Sequence, residues 1–331
     1  MPQAWKDALY LYVDLHNRNE VNDRNQSHQV PITDMNYAMR MSERSRRLKE
    51  WYRERDTSPI RSETKAKLVR TYAADSEAVV DLEFHVQRML EQHGLMMMEE
   101  RIDRERITLS REEEGWIITQ IEQPQAERHA RGIHRDEKPD KLHQSRSAPF
   151  LNRELLGRSR TAPRIPYRRD KAVAYAEQWW NEPNPSFLAF EEDCTNYVSQ
   201  CIFAGSAPMN YTGRRELGWW YKGMVNKQEA WSYSWAVANS LEHYLRVNTS
   251  GLRAEQVDDP TELQLGDVIF YDWDGNGNIQ HSTIVTAFDM NGLPLVNAHT
   301  NDCRHRYWDY QDSHAWTEAT RYRFFHITDG F

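Results

Sequence analysis

The sequence predicts an α+β protein built in two parts, each with helices first and antiparallel strands after them. Three observations predict it. Helical spacing in the first 55 residues gives way, from Ile60 to about Gln123, to segments in which apolar and charged residues alternate. A second run of helices followed by strands begins near Tyr167 and continues to Phe331. Between the two, residues 124–165 are rich in Arg, His, Pro, Ser and Lys and show little apolar periodicity. The expected organisation is an N-terminal α+β accessory domain at 1–123, a basic polar linker at 124–165 and a second α+β domain at 166–331.

Taken in order, Ala4, Leu9, Leu11, Tyr12 and Leu15 share helical spacing over residues 4–16. Thr33 or Asp34 is placed to cap a second helix, Met35 to Arg55, which Thr57-Ser58-Pro59 ends. Strands are predicted at 66–73, 78–89, 95–110 and 115–121, with a hairpin through Arg111-Glu112-Glu113-Glu114-Gly115. By element order alone this half resembles cystatin-like or nuclear-transport-factor-like domains. Tyr167 to Trp180 reads as a helix with one packed face, ended by Asn181-Glu182-Pro183-Asn184-Pro185. Further helices are predicted from Cys194 and over Ser234–Arg246, then strands at 266–271, from His281, at 293–299 and at 322–327.

Composition narrows the function. The 331 residues are 39% hydrophobic and 28% charged with a net charge of −8, which fits a folded chain with two cores and does not point to nucleic acid. No apolar run is long enough to span a bilayer. Met1 to Asp7 lacks the basic-then-apolar layout of a secretion signal, so a cytoplasmic protein is expected, with unconventional release or export as the alternative. Cys194, Cys201 and Cys303 form neither a disulfide framework nor a zinc pattern, and no cofactor or metal is expected. Asp272, Asp274 and Asn276 alternate like calcium ligands, but Thr283 stands where the twelfth, acidic ligand belongs; the alternative is an Asx-rich turn. The many tryptophans read as core or as a wall for a peptide or sugar.

The chemistry is carried by two stretches. Asp193-Cys194-Thr195-Asn196-Tyr197-Val198-Ser199-Gln200 puts a cysteine at a helix start behind an N-cap residue type, where backbone N–H groups and the helix dipole favour a thiolate. His281-Ser282-Thr283-Ile284-Val285 opens a strand with a histidine. Cys194 as nucleophile and His281 as its base form the expected pair. A third group must hold the imidazole, and His299 or Asn297, of one strand parity, can supply it.

The first stretch resembles the Asp-Cys-Thr-Asn-Phe-Val-Ser-Gln signature of the bacterial "putative amidase" domain family. Tyr167 to Ala176, Asn184-Pro185, Ser232–Trp235, Gly266-Asp267-Val268-Ile269, Asp272-Trp273-Asp274-Gly275, His281-Ser282 and His299-Thr300-Asn301-Asp302 look like the same family. The resemblance implies a papain-like fold related to NlpC-type and CHAP-type cell-wall amidases. It further implies an acyl-enzyme on Cys194, a peptidoglycan-type or related peptide substrate, and His299 as the third group. A glycan- or peptide-binding module that keeps the fold without turnover is the alternative.

Overall fold

The computed structural model describes residues 5–21, 32–113, 115–123, 126–128 and 165–331. Helix α1 (Trp5–Asn19) buries Trp5, Ala8, Leu9, Tyr12 and His16 along one side, the spacing the sequence carries. Helix α2 (Met35–Glu54) starts at Asp34, whose carboxylate accepts the Tyr37 amide at 3.0 Å. The helix stops before Thr57-Ser58-Pro59 as expected, but these residues also open strand β1 (Thr57–Ala73), well ahead of the predicted start at Ala66. Pro59 is tolerated there because β1 is the edge of the sheet.

Strands β2 (Glu77–Gln92), β3 (Leu95–Glu112) and β4 (Gly115–Glu122) complete an antiparallel meander. Along β2, buried and half-buried residues alternate, and Val80, Leu82, Phe84 and Val86 form a core with the apolar side of α1.

The second half begins with α3 (Arg169–Gln178) and α4 (Cys194–Ala204). A small hairpin follows, β5 (Tyr221–Val225) and β6 (Gln228–Trp231). The helix predicted over Ser234–Arg246 is split into α5 (Tyr233–Ala236) and α6 (Ala238–Val247), because Val237 is extended at φ −123° and ψ 121°. Then come β7 (Ala254–Val257), β8 (Val268–Asp272), β9 (His281–Phe288), β10 (Pro294–Ala298), β11 (Cys303–Tyr307) and β12 (Arg321–Ile327). The result is the mixed α+β layout with a large antiparallel sheet.

One ten-stranded sheet runs through the described residues in the order β1-β2-β3-β11-β10-β9-β8-β12-β7, with β4 also on β3. The two halves meet where β3 pairs with β11, Arg101 opposite Cys303 and Glu100 opposite Arg304. The Ile102 amide extends this join to the Asp302 carbonyl at 2.8 Å. Charge crosses the join where Arg304 meets Glu100 at 3.2 Å, and a buried ion-pair network backs it on the N-terminal side. Arg101 holds Glu20 at 2.6 Å and Asp103 at 2.8 Å, and Arg88 holds Glu99 at 2.6 Å, with these two arginine side chains no more than 4% exposed.

Of the stretch expected to be linker, residues 124, 125 and 129–164 lie outside the described residues. Residues 126–128 do not behave as a solvated tether. Glu127 is buried, accepts from Ser313 and Arg306, and offers its carbonyl to the Trp273 indole at 2.8 Å. The Asp272–Asn278 stretch is an Asx-rich turn: the Asp272 carboxylate accepts the amides of Asn276 and Gly277, and the Asn276 side chain accepts the Asn278 amide.

Around β8–β10 the sheet is buried on both faces. One face, with Val268, Phe270 and Ile284, packs under α4 against Val198, Cys201 and Ile202. The other, with Ile269, Tyr271, Trp273 and Val285, packs against Cys303 and Tyr310. Trp219, Trp235 and Trp273 are fully buried, so these indoles belong to the cores and not to an open binding wall. Among the described residues no helix is long and apolar enough to cross a membrane.

Candidate active site

Residues Cys194 to Ile202 of α4 are all buried although four of the nine, Thr195, Asn196, Ser199 and Gln200, are polar. Such a helix survives only if its polar side chains are satisfied. Asn196 donates to the Leu188 carbonyl at 2.9 Å and accepts the Trp235 indole at 2.8 Å. Ser199 accepts the Trp219 indole at 3.0 Å, and Gln200 accepts the Tyr175 hydroxyl at 2.6 Å. The tryptophans therefore fix the polar helix from its far side.

Asp193 does not cap α4 in the expected way, for its side chain accepts none of the helix's first amides. Its carboxylate instead accepts the Phe190 amide at 3.0 Å and the Asn196 side chain at 2.8 Å, and takes the His299 Nδ1 at 2.7 Å. The helix start is met from another strand end. The amides of Asp193 and Cys194 both donate to Thr300 Oγ1, at 3.0 and 3.2 Å. Thr300 sits at φ +85°, a backbone state unfavourable for a β-branched residue and held by its surroundings. Two backbone donors converging on one oxygen is the arrangement of an oxyanion hole.

Cys194 itself is buried, with Sγ 3.6 Å from Thr195 Oγ1, which lies 3.1 Å from Ser282 Oγ. Burial pushes its thiol above the ordinary value, and hydrogen bonds from Thr195 and Ser282 offset part of that. The thiol is therefore neutral at rest. His299 is nearby in the structure, stacked on Tyr197 with ring centroids 4.1 Å apart. Burial alone would lower its imidazole, but the Asp193 bond, the charge of Asp302 and the Trp179 carbonyl, 2.6 Å from Nε2, together raise it above the ordinary value.

His281 faces elsewhere. Its ring packs against Tyr271, Trp273 and Tyr310, on the sheet face opposite α4. Its neighbour Ser282 is the residue that faces the cysteine helix. Strand side chains alternate, so turning His281 toward Cys194 would reverse the parity of β9 and bring its buried set to the wrong side. Thr300, next to His299, takes the Cys194 amide, while Ser282, next to His281, bonds the thiol, and among the described hydrogen bonds neither imidazole touches Sγ. Asn297, the other candidate, is engaged by Thr286, the His305 amide and Glu177.

Burial, with the Arg306 charge beside it, pushes the His281 imidazole down to about 3. An unfolded histidine takes up its proton near pH 6.5, the folded one only near 3, so stability is present above about pH 6.5 and lost as pH falls toward 3. The expected loss approaches about 1.4 kcal/mol per pH unit from this group. Urea midpoints between pH 7 and 4 check it. His281→Gln should flatten the slope, and an unchanged slope would refute the assignment.

A cleft of about 400 Å³ borders this neighbourhood, lined by Arg104, Asn181, Glu182, Phe190, Glu191, Asp193, His299, Thr300, Asn301 and Asp302. A larger cavity of about 670 Å³ lies between α2, β4 and Trp316; His299 lines only the smaller cleft, and Cys194, just behind Asp193, is among the lining residues of neither. Thr300, Asp302 and Arg104 were missed from sequence as site residues. The His299-Thr300-Asn301-Asp302 run was the available signal for the first two, whereas Arg104 carries none.

The chain is 49% identical over 177 residues to "Uncharacterized protein YhbB" of Bacillus subtilis (strain 168), 54% of this chain and 54% of that protein. It is 27% identical over 125 residues to "Uncharacterized protein YjcM" of the same organism, covering 35% of this chain and 27% of that one. The chain thus spans about half the length of the first relative and about a quarter of the second. A crystal structure of the intermembrane space region of the chloroplast protein ARC6 aligns with 37% of this chain and 97% of its own at 11% identity. Its TM-score of 0.27 is too low to carry a fold argument. Residues 166–325, which hold Cys194, His281 and His299, match the family described as "Putative amidase domain".

Proposed function

We propose that this protein hydrolyses a C–N amide bond, with Cys194 as nucleophile and the Asp193–His299 pair as its proton acceptor and donor. The observation that carries the reading is the pair of amides, Asp193 and Cys194, aimed at one oxygen beside a carboxylate-held imidazole and a cleft. A substrate carbonyl oxygen would take the place of the Thr300 hydroxyl there. Sγ attacks the carbonyl carbon as its proton passes to His299, the C–N bond breaks as that proton moves to the leaving amine, and water cleaves the thioester. His299 must first release the Trp179 carbonyl and turn its Nε2 to Sγ, which it does not touch at rest. The substrate class, peptidoglycan-type or a related peptide, rests on the family resemblance alone.

A binding module without turnover is the second reading, favoured by the covered, neutral thiol. Rates on a panel of amino-acid 4-nitroanilides for wild type, His299→Ala and His281→Ala separate the possibilities. The proposal expects His299→Ala to lose about a hundredfold or more and His281→Ala to stay active at pH 8. An inactive His281→Ala beside an active His299→Ala would return the base to His281. No turnover by wild type on any peptide amide would favour the binding module.

A further inference from the structure

The N-terminal half supplies one residue to the cleft wall, Arg104 of β3. We infer that Arg104 is a specificity-determining residue that receives a carboxylate carried by the substrate, an inference that rests on the amide-hydrolase reading of the same cleft.

Its surroundings separate it from the other arginines at the join. The side chains of Arg88, Arg101 and Arg44 are 1%, 4% and 8% exposed, and the first two are fixed by ion pairs of 2.6 Å. Arg104 is 44% exposed, and its contacts, Nε to Glu83 and Nη2 to Asp302, are both 3.3 Å. The first group is built as structure. Arg104 is held loosely at a cleft edge, where a guanidinium fork can turn to a better-placed carboxylate.

Its position is also fixed by the fold. The Ile102 amide bonded to the Asp302 carbonyl, with Arg101 opposite Cys303, runs β3 antiparallel alongside the chain that follows His299, and Arg104 Nη2 reaches the Asp302 carboxylate from there. Facing it are Glu182, Glu191, Asp193 and Asp302, so among the lining residues Arg104 is the only permanent cation. A substrate carboxylate approaching this cleft finds repulsion everywhere except at Arg104 and a protonated His299. The amide substrate is therefore one that carries an acidic group close enough to the scissile bond to reach the Arg104 guanidinium on the wall of the same cleft.

Glutaramate, which has an amide and a carboxylate in one small molecule, and its neutral analogue glutaramide are the probes. Binding to the Cys194→Ala protein is followed by the His299 ring signals in NMR, which needs no turnover. Glutaramate should bind about tenfold to a hundredfold tighter than glutaramide. Arg104→Gln should abolish that preference, and Arg104→Lys, which keeps the charge without the fork, should retain part of it. Equal binding of both probes, or a preference that survives in Arg104→Gln, overturns the inference. If the preference is lost as expected but wild type cleaves no amide, the recognition role stands and the hydrolase reading fails. If amides are cleaved and the preference survives, the reverse holds.

Discussion

Cys194→Ala is expected to reduce amide hydrolysis to the background of the cleft, a loss on the order of 10³-fold or more, with the fold intact. The expectation follows from Cys194 Sγ being the proposed attacking atom, with its own amide and that of Asp193 as the oxyanion donors. Stability should move by only about 1 kcal/mol, because removing a sulfur from a packed site leaves a small cavity. The pH dependence of the wild-type rate carries a second signature. The Asp193 bond raises His299, so the free imidazole needed to accept the thiol proton appears only above the ordinary range. Activity should therefore rise with pH through a limb displaced above about 6.5. Asp193→Asn should move that limb downward, and steady-state rates between pH 5 and 9 would show it. A limb that stays put would remove Asp193 from the account.

Arg101→Met should destabilise the protein by about 3–5 kcal/mol. Arg101 is buried and neutralises Glu20 at 2.6 Å, Asp103 at 2.8 Å and Glu99 at 3.4 Å. Burial would hold the guanidinium down, but the carboxylates around it outweigh burial and raise it far above its ordinary value, so it stays charged. Its removal leaves carboxylates in a low-dielectric interior with fewer cations to share. The network reaches from Glu20 through Arg44 to the Asp312 carbonyl, so the damage falls on the join between the two halves. Urea unfolding at pH 7 measures it. A loss below about 1 kcal/mol would mean that the network is idle.

Helices α1 and α2 and strand β2 were legible because each has one wetter face, as β2 shows by its alternation. Strand β11 was not. Cys303-Arg304-His305-Arg306-Tyr307 is polar, and its place beside β3 is set by Arg101, some two hundred positions earlier. The parity of His281 was hidden for a related reason. From His281 to Thr286 every residue is buried, so no local pattern tells which side lies under the cysteine helix. Asp193 was read as a cap because its residue type and position fit, yet Thr300 meets the helix start and frees the carboxylate for His299. Residues 126–128 read as tether because composition averages over a window and cannot register one anchored glutamate.

The central claim is a covalent intermediate on Cys194. Intact-mass spectrometry after rapid mixing with an activated acyl compound such as 4-nitrophenyl acetate, followed by peptide mapping, tests it most directly. The account predicts an acetyl adduct on Cys194 in wild type, its absence in Cys194→Ala, and its slow formation in His299→Ala. An adduct on Cys201 or Cys303, or nitrophenol release by Cys194→Ala at the wild-type rate, would contradict it.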